Sequence, residues 1–192
     1  PQTALRTAAL IAACVPMIVA TLTWLLVRDR RARVNLPEFK ATGAALLGAF
    51  KNARLWLVVG FLLLINFNPG VITPLYDHVE KAGLPHSQLA IMDMLFSVGN
   101  VIGALAFMTA LSGRMSTRKT TIIGLLVGAL GLLPMLFITG KTSAGVAYGV
   151  WGLTYMIVTL SQLSVAAEAC PKRVEAVVFA ALMSVSNFSS QY

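Results

Sequence analysis

Charged side chains are scarce in this sequence, and their scarcity excludes most water-soluble architectures. Only 11% of the 192 residues are Asp, Glu, Lys or Arg, whereas 57% are hydrophobic and the mean hydropathy is +0.79. A soluble domain carries about 25% charged residues, so the composition predicts a polytopic membrane protein in contact with lipid bilayer. We expect an all-α fold, a bundle of about six membrane-spanning helices.

Cysteine and histidine are also rare, which limits the chemistry open to the chain. Cys14 and Cys170 lie in different segments, and His78 and His86 have no partners at metal-ligand spacing. No nucleophile, base and orienting group cluster in the sequence. We therefore expect no metal, no cofactor and no enzymatic activity.

Basic residues exceed acidic ones, by fifteen to seven, which gives a net charge of +8. In a soluble protein this excess would favour nucleic-acid binding, but here the basic residues form no stripe along one element. Membrane proteins concentrate Lys and Arg in cytoplasmic loops for topological reasons. We expect no nucleic-acid partner.

Six apolar runs approach the ~20 residues that a membrane-spanning helix needs. They are 5–27, 55–76, 90–111, 120–139, 144–166 and 176–192. The loops that alternate to one side hold twelve basic residues, against Lys81 and Lys141 on the other side. This asymmetry predicts that the basic loops are cytoplasmic and that the N-terminus of the sequence is outside.

The longest basic loop, 28–54, begins Arg28-Asp-Arg-Arg-Ala-Arg33 and continues after Pro37 as a stretch that predicts a helix on the inner membrane surface. Such a loop, followed by closely spaced spans, is typical of the linker between the halves of a twelve-span carrier. We interpret 1–27 as the sixth span, 28–54 as the linker and 55–192 as spans seven to eleven, the last truncated. The N-terminal half of the same carrier would then be a partner, and a complete six-span protein is the alternative.

Polar side chains inside the apolar runs are the main functional candidates, because each is costly in lipid without a partner. Asn66, Asn100, Tyr155 and Asn187 lie within about one helical turn of the midpoints of four spans. Secondary transporters bind their substrates at that depth. We predict that these residues surround a substrate, and the alternative is that they hold packed helices together.

Helical phase extends this group to Trp151 and Thr159, on the face of Tyr155, and to Ser184, on the face of Asn187. Aromatic rings could stack on a planar heteroaromatic solute, while amides could bond to its edge. The predicted substrate-binding residues are Asn66, Asn100, Trp151, Tyr155, Thr159, Ser184 and Asn187.

Asp93 continues the polar face of the third span near its outer end, together with Ser97 and Asn100. A carboxyl at that position is a candidate proton carrier. Simple exposure at the membrane interface is the alternative.

Two stretches are candidate gates. In the second span, Pro69 and Gly70 should kink or interrupt the helix in its outer half. At the cytoplasmic end of the fifth, local ion pairs could latch a closed state, formed by Glu168, Lys172, Arg173 and Glu175. The alternatives are a packing kink and ordinary helix-end charges.

The stretch Glu168-Ala-Cys-Pro-Lys-Arg-Val-Glu175, continued by a helix rich in small residues up to Asn187, is the most specific motif of the chain. It resembles the folate–biopterin transporter family of the major facilitator superfamily, whose loop reads Cys-Pro, a few residues, Glu and then a similar helix with Asn. The resemblance implies the C-terminal half of a major facilitator fold and a proton-linked carrier of folates or pteridines. Arg173 and Val177 depart from the family, where Gly and Thr are common.

Taken together, these features predict a multi-pass integral membrane protein of a bacterial inner (plasma) membrane. We expect it to move a folate, pteridine or related organic solute by alternating access, coupled to protons. The alternatives are a major facilitator carrier of another small organic solute and a membrane scaffold that transports nothing.

Overall fold

The computed structural model describes residues 2–26, 36–67, 86–172 and 174–189, and every regular element within these ranges is helical. In chain order the α-helices are α1 (Gln2–Leu26), α2 (Leu36–Phe50), α3 (Ala53–Asn66), α4 (His86–Ala106), α5 (Thr117–Gly131), α6 (Lys141–Ala169) and α7 (Glu175–Ser189). A π-helical turn, Phe107–Leu111, extends α4, and a 3-10 turn, Leu133–Phe137, follows α5. The predicted all-α fold is confirmed.

Within the described residues, three helical segments are long and apolar enough to cross a membrane: Gln88–Leu111, Thr117–Phe137 and Lys141–Ala169. They correspond to the predicted third, fourth and fifth spans. The segments Lys40–Phe50 and Ala53–Asn66 would form a fourth if the 63° bend between them lies within one span. Shorter apolar helices, Pro16–Leu26 and Glu175–Ser189, fall in the predicted first and last spans. The outer part of the predicted second span, beyond residue 67, lies outside the described residues.

The chain divides into two compact units, Pro1–Lys40 and Ala41–Tyr192. The first contains α1, whose described side chains from Pro16 to Leu26 are all exposed, Trp24 by 86%. Between Pro16 and Leu26 its two hydroxyls are bonded locally, since Thr21 and Thr23 donate to the carbonyls of Met17 and Val19, both at 2.8 Å. An exposed apolar stretch whose hydroxyls are paired in this way suits contact with lipid.

The break between α2 and α3 has its own hydrogen bonds. The Asn52 side chain caps α3 by accepting from the backbone N–H of Arg54 at 3.0 Å, and the Trp56 indole N–H donates to the carbonyl of Phe50 at 2.8 Å. These contacts end one helix and begin the next without leaving their terminal groups unpaired. The helix predicted within the linker is present, while its position on the membrane surface stays a prediction.

Within the second unit, α6 packs against α4 on one side and α5 on another, and glycine makes both contacts close. A Cβ added at Gly99 would overlap the carbonyl oxygen of Gly149, and one at Gly152 would overlap that of Phe96. Facing α5, a Cβ at Gly124 would overlap the side chain of Ser161. In a membrane, where lipid is as apolar as Leu, such direct backbone approach is a main source of helix association.

An apolar cluster joins α3 to α7 within the second unit. Leu55, Val58 and Leu62 on α3 pack with Val178 and Leu182 on α7, and all five side chains are buried. The cluster fixes α3 and α7 as neighbours, so polar groups on both helices can reach α6.

Candidate functional site

An aromatic group lies along one edge of the interface between α4 and α6. The Phe96 ring centroid is 4.8 Å from that of Trp151 and 5.6 Å from that of Tyr155, both in tilted contact. These separations are those of favourable aromatic pairs. Phe96 comes this close because the residue after Trp151 is Gly152, which admits the Phe96 backbone.

The aromatic stripe on α6 is divided between core and surface. Tyr148 is buried at 3% exposure with its ring edge-on to Trp151, at 5.6 Å between centroids, so it belongs to the apolar core. Tyr155 is 49% exposed. Of the predicted pair, Trp151 is therefore half-buried between Phe96 and Tyr148, while about half of Tyr155 is exposed.

Asn100 lies one helical turn beyond Phe96 on the same side of α4. Its side-chain oxygen Oδ1 is buried and has no hydrogen-bond partner among the described residues. Leaving a buried acceptor unpaired costs about 1–3 kcal/mol. A native structure that keeps such a group calls for an explanation, and a missing ligand or water is one.

Asn66 belongs to a second polar group, between α3 and α6. Its Nδ2 donates to the Leu62 carbonyl at 2.9 Å and to Oε1 of Gln162 at 3.2 Å. Nearby, the Ser189 hydroxyl of α7 donates to the Leu63 carbonyl at 2.7 Å. Asn66 is therefore already engaged in joining helices, which is the alternative role considered for it.

The aromatic group around Tyr155 and the polar group around Asn66 and Gln162 contact α6 at different heights. Gln162 follows Tyr155 by seven residues, which is about 10 Å along a helix and returns to nearly the same face. Gln162 and Ser189 are outside the set predicted from the sequence. The spacing of Gln162 from Trp151 and Tyr155 is the signal that could have found it, whereas the bond of Ser189 to a backbone carbonyl has no sequence signal.

The predicted hydroxyl residues are satisfied within their own helices. Thr159 donates to the Tyr155 carbonyl and Ser184 to the Ala180 carbonyl, both at 2.9 Å. Because each hydroxyl has a single proton, both residues could meet a ligand only as acceptors. Ser184 and Asn187 are exposed on α7.

Asp93 is exposed, one turn before Ser97 on α4. The Ser97 hydroxyl donates to the Asp93 backbone carbonyl at 2.9 Å, not to its carboxylate. The exposed carboxylate thus lies on the same side of α4 as Asn100, about two turns nearer the start of the helix.

At the opposite end of the bundle, Glu168 forms an ion pair that the sequence did not indicate. Its Oε1 lies 3.0 Å from a guanidinium nitrogen of Arg54, which joins the end of α6 to the start of α3. The long Arg54 side chain makes this contact across the bundle, while pairing of Glu168 with its neighbours in the turn stays a prediction. Lys172 and Glu175 are exposed. Arg173, Pro69 and Gly70 lie outside the described residues.

Cys170, in the Glu168–Glu175 motif, is partly buried and bonded to the backbone of α6. Burial raises the pKa of its thiol, and the Glu175 carboxylate raises it further. The thiol donates to the Ala166 carbonyl at 3.1 Å. A neutral thiol bonded to the last turn of α6 is a poor nucleophile.

Helices of spanning length with polar and aromatic groups between them are typical of polytopic membrane proteins in general. A family model for the Major Facilitator Superfamily matches residues 3–190. The chain belongs to the major facilitator superfamily. It is an integral membrane protein of a family that transports small solutes rather than performing enzymatic chemistry. No curated protein and no solved structure matches the chain.

Proposed function

We propose that this major facilitator protein carries a folate, pteridine or related planar heteroaromatic solute, coupled to protons, and that it forms the C-terminal half of the carrier. The observations that support the proposal most directly are the side-chain oxygen of Asn100, which has no partner among the described residues, and the exposed ring of Tyr155, which contacts Phe96 one helical turn before Asn100. A pterin offers a flat π face and N–H donors at its edge, which are the complements of these two groups.

The aromatic group supports stacking. Phe96 packs against both Trp151 and Tyr155, and Tyr155 remains 49% exposed, so part of its ring is available to a ligand. An aromatic pair contributes about 0.5–1.5 kcal/mol beyond the area that it buries. Since Phe96 and Trp151 are themselves half-buried, the ring would meet the solute without first having to be ordered.

Asn100 supports recognition of the solute's edge. An N–H donor from the ligand would satisfy its buried oxygen and remove the cost of leaving it unpaired. A solute without such a donor would leave the cost in place. This asymmetry would favour pteridines over apolar aromatic compounds of similar size.

The remaining predicted residues take subsidiary roles. Thr159, Ser184 and Asn187 are further candidates for the cavity, and Asn66, through its bond to Gln162, would fix the wall between α3 and α6. Asp93 is the candidate proton carrier, because it lies on the same side of α4 as Asn100 and is exposed. Pro69 and Gly70 are proposed for the outer gate, and Glu168, Lys172, Arg173 and Glu175 for the inner one.

Uptake of labelled pteridine and folate by the full-length protein in proteoliposomes, with and without a proton gradient, tests the proposal. We expect gradient-dependent uptake that Tyr155→Ala reduces about tenfold and that Tyr155→Phe, which keeps the ring, leaves nearly unchanged. Uptake of other organic solutes but no pteridine would replace the substrate class. No uptake of any solute would favour a membrane scaffold.

A further inference from the structure

Two apolar grooves on the second unit meet at the beginning of α6. One runs between α4 and α6, has a volume of about 490 Å³ and is lined by aliphatic side chains and glycines, among them Leu95, Val98, Gly149 and Val150. The other lies between the 3-10 turn and α6, has a volume of about 810 Å³ and is lined by Leu130, Leu133 and Phe137. Lys141, Thr142 and Val146 line both grooves.

The geometry points to a binding site for one anionic diacyl phospholipid, with its phosphate at Lys141 and Thr142 and one acyl chain in each groove. The two grooves share Lys141, Thr142 and Val146 and extend from there along α4 and along the 3-10 turn, an arrangement that suits two acyl chains joined to one headgroup. This site is independent of the transported solute, because its lining residues differ from the aromatic and amide groups described above.

The length of the first groove fits a single leaflet. Its lining extends on α6 from Lys141 to Leu153, which is about 18 Å of helix. Half of the hydrocarbon core of a bilayer is about 15 Å. A chain that enters beside Lys141 would therefore reach the end of the groove near the membrane centre.

The charge at the mouth favours an anion. Lys141 and Thr142 are both exposed and present an ammonium and a hydroxyl, which can donate to phosphate. The neighbouring backbone N–H groups of Thr139 and Gly140 already donate to the Ser143 hydroxyl oxygen, both at 3.0 Å. Among the described residues that line the grooves, the charge available to a headgroup is thus that of the Lys141 side chain, and none of these residues is acidic.

Gly149 provides a way to fill the first groove without disturbing the helices. A Cβ added there would meet, within 4 Å, only the Leu95 carbonyl oxygen at 3.8 Å, an ordinary contact. This distinguishes Gly149 from Gly99 and Gly103, where added atoms would overlap the α6 backbone. Gly149→Leu should therefore place its side chain in the space proposed for the lipid, and Gly60→Leu, on α3 with nothing within 4 Å, is the matched control.

The test is native mass spectrometry of the full-length, delipidated protein with dioleoyl phosphatidylglycerol, dioleoyl phosphatidylcholine and inorganic phosphate. We expect one tightly bound phosphatidylglycerol, preferred over phosphatidylcholine by about fivefold, the contribution of one lysine near a phosphate surface. Lys141→Gln should abolish this preference, whereas Lys119→Gln should not. Gly149→Leu should weaken both phospholipids at least tenfold, and Gly60→Leu should have no effect.

Several results would overturn the inference. The first is equal affinity for the two phospholipids, and the second is binding of phospholipid to Gly149→Leu as tight as to the parent protein. The third is that inorganic phosphate displaces the lipid at concentrations similar to those at which the lipid binds. A change of oligomeric state in Gly149→Leu with lipid binding intact would assign the grooves to a second copy instead. Because Lys141 is exposed, its variant decides the headgroup part even if Gly149→Leu does not fold.

Discussion

The two edges of the interface between α4 and α6 share one glycine-tight seam but differ in chemistry. On one edge Asp93, Asn100 and Tyr155 present a carboxylate, a buried unpaired amide oxygen and an exposed aromatic ring. On the other edge Leu95 and Val98 line an apolar groove. Both edges are partly exposed, so exposure does not distinguish a cavity from a lipid-facing surface in this protein. Our proposal that the first edge faces the cavity rests instead on its pattern of polar atoms, because only polar groups are costly in lipid.

Substitutions in the glycine seam between α4 and α6 should lower stability more than substitutions on either edge, because the seam holds both edges in place. Gly152→Ala places a Cβ on the Phe96 carbonyl oxygen, which would force the helices apart. Overpacking of this kind typically costs 1–3 kcal/mol, and we expect about that loss in thermal or denaturant unfolding in detergent. Gly60→Ala, with open space around it, should remain within about 0.5 kcal/mol of the parent. Equal stability of the two variants would show that the seam is not close-packed.

Breaking the hydrogen bond between the Asn66 and Gln162 side chains would show whether the proposed substrate site extends along α6 beyond Tyr155. Asn66→Leu and Gln162→Leu each remove one partner of the 3.2 Å bond. If the pair joins helices, a double-mutant cycle on unfolding should give a coupling of about 0.6 kcal/mol, and at most about 1.7. Solute uptake should then fall only in proportion to stability. A large loss of uptake with no coupling would move both residues into the substrate site.

The Arg54–Glu168 pair should contribute least. Its side chains are 67% and 51% exposed, and exposed pairs are worth about 0–1 kcal/mol. We expect Arg54→Gln to lower stability by less than 1 kcal/mol, and by still less at high salt. Unfolding at low and high ionic strength measures this, with Lys119→Gln as the control for removing one exposed charge. A loss above 2 kcal/mol would assign the pair a structural role that its exposure does not suggest.

Much of the fold could be predicted because hydrophobic length and helix period are local properties of the sequence. The third, fourth and fifth spans and the linker helix are helices in the structure. The division of the aromatic stripe, with Tyr148 buried and Tyr155 exposed, depends on which neighbour covers each face and could not be predicted from spacing. The ion pair of Glu168 likewise required knowing that α3 begins beside the end of α6.

The site was predicted less completely for a related reason. Asn66 and Asn100 have the same side chain and lie at similar depths in their spans, so the sequence could not separate them. In the structure Asn66 bonds to Gln162, while the Asn100 oxygen has no partner among the described residues. The first arrangement is typical of helix association and the second of a group that awaits a ligand.

The central claim is that Asn100 is kept for a solute and not for stability, and Asn100→Leu tests it most directly when unfolding and uptake are measured on the same preparation. Leu has the same number and branching of side-chain heavy atoms as Asn but no polar atom and a larger volume, so it removes the unpaired buried acceptor without leaving a cavity. We predict an unfolding midpoint equal to or above that of the parent, together with a loss of pteridine uptake of about tenfold, the value of one good hydrogen bond. A lowered midpoint with uptake retained would contradict the account and make Asn100 a helix contact.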